Sequence, residues 1–389
     1  MSKSTSEQLY FTRLKLTNWR NFRSVDLKMQ MRAFFIGPNA SGKSNLLDSI
    51  RFLSEIAQAG RGGLQAAVKS RGGFSALRCL EARKNPHIEV EATVGTQTEP
   101  NLWRYSLRIN VVKREHFPTV VTEQVWHHGE LLTEHSRGTA GDELEYSQTY
   151  LEQVGQNKGF RELAEFFSSC RYLHVVPQIV RDRSRAKSEG DDPYGGDLLR
   201  RMKEVNKKTS TSRLKRISQA LKIAVPQFGE IELKDDSEGI PHLYASYVHW
   251  RPNAFKQPET AFSDGTLRLI GLLWSIAERG GPLLLEEPEL SLNDAVVSEL
   301  PRMFLRMQRF SARQVISSTH SSALLDDPGI GLKEVHLIEV DSNGSHAITL
   351  NEHSLVAAQV NGGMTIGQAT IPLLRPKGIE TLGKIDVAG

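Results

Sequence analysis

Phe34-Phe35-Ile36-Gly37-Pro38-Asn39-Ala40-Ser41-Gly42-Lys43-Ser44-Asn45 decides the fold. An apolar run halts at a glycine, and the residues after it fit G-x-x-x-x-G-K-[ST] at every fixed position. Gly37 and Gly42 let the loop Pro38-Asn39-Ala40-Ser41 curl until the backbone N–H groups available from Asn39 through Asn45 face inward as an anion nest at a helix N-terminus. Lys43 then reaches the β- and γ-phosphates of a nucleotide, and the Ser44 hydroxyl can sit on Mg²⁺. A plain glycine turn before a helix is the simpler alternative. The flanks favour the phosphate loop: a strand from Ala33 to Ile36, then Leu46, Leu47, Ile50, Leu53 and Ile56 on one helical face.

Working outward, residues 9–18 alternate apolar and polar like a half-buried strand, and Val25 to Met29 form a second short strand before the loop. Gly60, Gly62, Gly63, Gly72 and Gly73, with Arg61 and Arg71 among them, read as a mobile basic surface loop. Period-two patterning over His87–Val94, Leu102–Val112, Val120–His127 and Leu144–Tyr150 predicts an antiparallel meander. Helical patterning returns at Phe160–Phe167. Residues 181–222 then hold thirteen Lys or Arg against six Asp or Glu, including Arg181, Arg183, Arg185, Arg200, Arg201, Lys207, Lys208, Arg213, Lys215 and Arg216. A solvated helical face and a path for DNA or RNA phosphates both fit that excess. A strand pair, Gly229–Leu233 and His242–Trp250, follows.

Pro282-Leu283-Leu284-Leu285-Glu286-Glu287-Pro288-Glu289 is a buried strand that delivers carboxylates at its end, beside the phosphate-loop strand. Glu286 suits a metal ligand, and Glu287 suits orienting or deprotonating a hydrolytic water. Gln314-Val315-Ile316-Ser317-Ser318-Thr319-His320-Ser321 is another short apolar strand ending in a histidine, and at the end of such a strand His320 could set its imidazole near the γ-phosphate. Phe262-Ser263-Asp264-Gly265-Thr266-Leu267-Arg268 opens an apolar helix running to about Ala277, with Ser263 or Asp264 as N-cap. Its N-terminus, with Gly265, is a second anion-binding device. One phosphate tail does not need two devices from one subunit, so a twofold homodimer, or a higher even oligomer, is expected to share them.

Bulk properties bound the rest. The 389 residues carry a net charge of +4 and the apolar and charged fractions of a globular protein, one large domain or two ordinary ones. Cys79 and Cys170 stand far apart, which argues against a disulfide framework or zinc site and fits a reducing, cytoplasmic setting. The longest apolar run, near Leu269–Ala277, is about half of a bilayer span, so no membrane segment is expected. Met1–Thr5 has no apolar core of a secretory signal.

In this order, the motifs resemble those of an ABC-type ATPase head of the SMC, RecF and OLD branch. Gly37–Ser44 is similar to Walker A, Leu283–Glu287 to Walker B, Phe262–Arg268 to the signature and His320 to the switch histidine. Leu14–Phe22, with Asn18-Trp19-Arg20-Asn21-Phe22, resembles the opening strand of RecF-like proteins. Compact bacterial AAA-type ATPases linked to phage defence share the S-D-G-T-L-R and E-E-P-E runs. The resemblance implies an α/β fold: a P-loop ATPase head with a mainly parallel core sheet, an antiparallel β subdomain and a helical basic insertion. The expected divisions of a single head, 1–389, are 1–60 for the N-terminal strands and P-loop, 85–155 for the β subdomain, 160–224 for the basic insertion and 225–389 for the signature, Walker B and switch lobe. It also implies ATP and Mg²⁺ as cofactors and hydrolysis at a dimer interface; for the family's Q-loop glutamine the sequence leaves Gln97 and Gln124 both open and selects neither. The tail after His320 is too short for a Toprim nuclease, so an effector nuclease is expected on another polypeptide. The alternatives are a RecF-like DNA-repair ATPase and a slow-hydrolysing ATP-dependent scaffold.

Overall fold

The computed structural model describes residues 8–58, 60, 62–82, 86–111, 117–137, 144–182, 184, 191–247, 256–342, 344–376 and 378–384. Its strands run in chain order as follows. The first group is β1 (Tyr10–Trp19), β2 (Phe22–Lys28), β3 (Arg32–Ile36), β4 (Ile88–Gly95) and β5 (Trp103–Val111). Next come β6 (Pro118–His127), β7 (Glu130–Ser136), β8 (Arg171–Leu173), β9 (Phe228–Asp235) and β10 (Pro241–Tyr247). The last are β11 (Gln257–Pro258), β12 (Leu283–Glu286), β13 (Val315–Ser318), β14 (Val335–Asp341) and β15 (Gly344–Thr349). Twelve of them form one sheet in the order β7-β6-β5-β4-β1-β2-β15-β14-β3-β13-β12-β8. From β14 to β8 neighbours are parallel, and from β2 to β7 they are antiparallel. β9, β10 and β11 make a separate small sheet.

The parallel strands are short apolar runs because helices cover both their faces. Alternation along each strand sorts residues between two cores. Phe35, Leu284 and Ile316 join Leu46, Leu47, Ile50 and Leu53 of the helix Lys43–Ala57. Phe34, Ile36, Leu283, Leu285 and Val315 join Leu267, Ile270, Leu273 and Trp274 of the helix Asp264–Ala277. The helix Lys43–Ala57 and the helix Asp264–Ala277 therefore lie on opposite faces of the core sheet.

Several expectations change. The acid-bearing β12 does not adjoin β3, because β13 pairs with both and lies between them. The fourth meander strand is β7 rather than Leu144–Tyr150. His128 and Gly129 both have positive φ, as a two-residue hairpin turn requires, and they fold β7 back on β6. β7 is largely exposed, so it lacks the apolar alternation that marks a half-buried strand. Glu145–Ser147 is a 3₁₀ turn that stacks Tyr146 on His135. The glycine-rich stretch is no loose loop: Gly63–Lys69 is helical, burying Leu64, Ala67 and Val68. Arg71 is buried beside it, its guanidinium paired with Asp48 and Glu55. Arg61, Val112, Arg183, Arg185 and the expected strand end at 248–250 lie outside the described residues.

Candidate nucleotide site

β3 feeds the loop 37–42 into the helix Lys43–Ala57. Gly42 has φ +113, and a Cβ there would collide with the Asn21 amide and stand 2.7 Å from the Phe22 ring, so only glycine fits. Asn21 belongs to the turn between β1 and β2, and it holds the loop from outside. Its Nδ2 donates to the Ser41 carbonyl (2.7 Å), and its Oδ1 accepts from Asn45 Nδ2 (2.6 Å). Trp19 Nε1 donates to the Asn45 carbonyl (2.8 Å), and Arg20 pairs with Asp48 one turn on (3.0 Å). The N-W-R-N-F run thus fixes the first turn of the phosphate-loop helix. The sequence showed the run but not this task.

Lys43 is 5% exposed, and its ammonium donates to the carbonyls of Gly37 and Pro38, each at 2.9 Å. Burial pushes its pKa down to about 8, against the pull of Glu287, Glu289 and Glu286. The Ser41 hydroxyl is buried and, among the described residues, has no hydrogen-bond partner. Asn39, Ala40 and Ser44 are exposed. A lysine folded back on its own loop, a spare buried hydroxyl and backbone N–H groups at a helix start together form a cradle built for an anion.

The carboxylates follow β12. Tyr172, next door on β8, donates its hydroxyl to Glu286 Oε2, and His174 Nδ1 lies 3.9 Å from the same oxygen. Glu287 turns out of the strand with φ +45, a left-handed conformation uncommon for this residue type. His320 Nε2 meets Glu287 Oε1 at 2.7 Å, and that bond, ahead of the charges of His320 and Lys43, holds the Glu287 carboxyl below its usual range. Glu289 Oε1 accepts from Thr319 Oγ1 (2.7 Å) and from the His320 backbone N–H (2.8 Å), fixing the histidine's backbone. Burial raises the Glu289 pKa.

The phosphate loop, its lysine and the carboxylates delivered by a nearby parallel strand all lie within residues 32–326, which match the family described as "AAA domain, putative AbiEii toxin, Type IV TA system". The chain belongs to this AAA-domain family. It is also similar to the DNA replication and repair protein RecF of Rhizobium etli (strain CIAT 652), 36% identical over 106 residues, 25% of this chain and 26% of that protein. RecF of Rhizobium meliloti (strain 1021) is 33% identical over 110 residues, 26% of this chain and 28% of that one. The match spans about a quarter of the length of these curated relatives. An Smc head bound to the C-winged helix domain of ScpA superposes with a TM-score of 0.51 at 14% identity, covering 89% of this chain and 99% of that one. An Smc head with an extended coiled coil, derived from Pyrococcus furiosus, gives 0.51 at 12% identity over 91% and 100%. These likenesses establish the head fold. Family, relatives and fold together place the chain in the SMC/RecF branch of ABC-type ATPases.

In this AAA-family chain Ser263 caps the helix Asp264–Ala277, its Oγ accepting from Thr266 N at 3.2 Å. Arg181 bonds both Asp264 Oδ1 and the Phe262 carbonyl at 2.7 Å. A Cβ on Gly265 would strike the Ser291 carbonyl, so this glycine lets the loop after Glu289 lie against the helix start. Glu286, Glu287, Glu289 and His320 come together with Lys43, whereas Ser263, Asp264 and Gly265 start a helix on the opposite face of the sheet. Gln124 lies on β6, at the antiparallel end of the sheet, and Gln97 follows β4, so neither is placed as a phosphate-site residue.

The basic stretch divides. Arg200 pairs with Glu204, and Arg201 is buried between Asp197 and Glu278, so both serve the fold. Lys207, Lys208, Arg213, Lys215 and Arg216 ride on the helix Lys207–Ala224. Among the described residues no cluster of His, Cys, Asp and Glu could hold a metal by itself, and no helix is long and apolar enough to cross a membrane. Ser44 and Glu286 are hard oxygen donors, and Mg²⁺ commonly takes one or two protein ligands, with phosphates and water supplying the rest.

Proposed function

We propose that this chain hydrolyses ATP at a site shared by two copies, and that the ATP-closed pair is a switch in nucleic-acid-linked anti-phage defence. One observation carries the shared site: the two anion-binding helix starts lie on opposite faces of one sheet. A twofold partner can present its Ser263 helix to the phosphates held by Lys43, which the same subunit's helix is not placed to do. The family description, naming a toxin of a TA system, supports the defence setting. The effector nuclease is proposed to be a separate polypeptide.

The roles follow from the geometry. Lys43 leaves the loop carbonyls for the β- and γ-phosphates, and the nest from Gly37 to Asn45 wraps them. Ser44 and Glu286 would hold Mg²⁺, which when bound neutralises charge on the β- and γ-oxygens. Glu287, kept ionised by His320, accepts a hydrogen bond from the attacking water and orients it. His320 is placed to touch the γ-phosphate or to relay its presence to Glu287. Tyr172 and His174 orient Glu286.

A second reading, a RecF-like ATPase acting directly on DNA, is favoured by the RecF similarity and by the cations on the helix Lys207–Ala224. Turnover with and without duplex or single-stranded DNA tests this second reading: stimulation by DNA alone is expected of it, and indifference counts against it.

ATP affinity is expected to fall as pH rises through about 8. The free Lys43 amine loses its proton there. Bound phosphates hold that proton, so binding takes one up, and affinity drops by up to about tenfold per pH unit above 8. Labelled-ATP titrations across this range test it. Lys43→Ala should bind about ten- to a hundredfold more weakly with a flat profile. Equal affinity in wild type and mutant would remove Lys43 from the site.

Subunit contact supplies the test of the shared site. Sedimentation with and without ATP should show copies drawn into closed pairs, because nucleotide binds the paired state better. No nucleotide-dependent change in mass or shape would count against it.

A further inference from the structure

The helices Lys207–Ala224, Asp264–Ala277 and Leu300–Ser311 enclose an open groove of about 1070 Å³, wider than the roughly 300–1,000 Å³ of small-molecule pockets. It lies where the last two helices end and lead into the starts of β12 and β13. The phosphate loop and the carboxylates stand at the opposite ends of those strands. The floor is apolar and flexible: Ile217, Leu273, Ile276, Met303 and Met307, with Phe310 standing 89% exposed on one wall. The rim is cationic. Lys208, Arg216, Arg279 and Arg306 are exposed and, among the described residues, make no ion pair, while Arg213 lies over the Trp274 ring. The one acid lining the groove among the described residues, Glu278, is already taken by Arg201 (2.6 Å) and Trp274 Nε1 (2.8 Å).

We propose that this groove docks an acidic amphipathic helix of a partner protein. An apolar floor between helices accepts the apolar face of another helix, anchored at i, i+3, i+4 and i+7. Methionines adapt to such anchors. Unpaired cations along both rims select Asp and Glu on the flanks of the incoming helix and speed its approach. A nucleic-acid strand fits less well, because a phosphate track needs no methionine floor and base stacking calls for more than one exposed aromatic ring.

The test uses the full chain and three labelled probes read by fluorescence anisotropy. One is a peptide of about 20 residues with leucines at i, i+3, i+4 and i+7 and glutamates between them. The second is the same peptide with lysine for glutamate, and the third is an oligothymidylate of similar length. The acidic peptide should bind best and the basic one not at all. Phe310→Ser and the pair Arg216→Glu with Arg306→Glu should each weaken the acidic peptide about tenfold or more, as loss of an interface anchor does. These side chains are exposed, and unchanged melting and unchanged labelled-ATP affinity verify that the fold and the phosphate site persist. Failure of the acidic peptide to bind, or binding indifferent to these variants, overturns the proposal. So does tighter binding of oligothymidylate that the charge reversals abolish and Phe310→Ser leaves alone, which makes the groove a nucleic-acid path.

Discussion

Glu287→Gln is expected to slow ATP hydrolysis by roughly 10²–10⁴-fold, the usual worth of a positioned base, while ATP stays bound. The substitution is clean for a physical reason. Glu287 already holds a left-handed backbone, and glutamine meets the same backbone demand, so the strain is unchanged. What changes is charge. The carboxylate that His320 keeps ionised at 2.7 Å becomes an amide that cannot take a proton from water. Lys43 and the loop are untouched, so binding should persist, and lingering ATP should lengthen the life of the closed pair. Glu286→Gln separates the two acids: it should raise the Mg²⁺ concentration needed for turnover instead of abolishing turnover at every concentration. Single-turnover assays over a range of Mg²⁺ distinguish these patterns. If Glu287→Gln works at the wild-type rate, the water-orienting role passes to another residue.

Mixing two inactive variants, Lys43→Ala and Ser263→Arg, is expected to restore activity. In a mixed pair, one shared site carries both lesions and the other carries neither. Each mixed pair should then turn over at up to about half the wild-type rate if the sites act independently. The structure gives this test its force, since the helices bearing Lys43 and Ser263 are separated by the core sheet. Ser263→Arg also removes an N-cap, at a cost of about 0.5–2 kcal/mol, so its melting temperature must be compared with that of the wild type. Sites that fire only together would give no rescue but would still show ATP-dependent pairing on sedimentation. Neither rescue nor pairing would end the shared-site reading.

The two tests draw on different sources. Local structure that depends on spacing was legible in the chain: the turn at Gly37–Gly42 between an apolar strand and a helix, the apolar strand that ends at Glu286, and the N-cap at Ser263. Such motifs are readable because a turn, an N-cap or a strand end is set by neighbours a few residues away. Even the hairpin at His128-Gly129 had its turn signal, and it was lost only because β7 faces solvent and carries no apolar alternation. What only the tertiary structure decided is partnership over long separations. That β13 sits between β3 and β12, that Tyr172 on β8 and His174 just after it reach Glu286, and that Asn21 clamps the phosphate loop all follow from strand order. Arg71 and Arg201, which read as loose surface cations, are buried against distant acids, Arg71 against Glu55 16 residues away and Arg201 against Glu278 77 residues away. Strand order and ion pairing of this kind are selected by which apolar faces can be buried together and which buried charges must be neutralised. Those are sums over the whole fold, and no window of the sequence contains them.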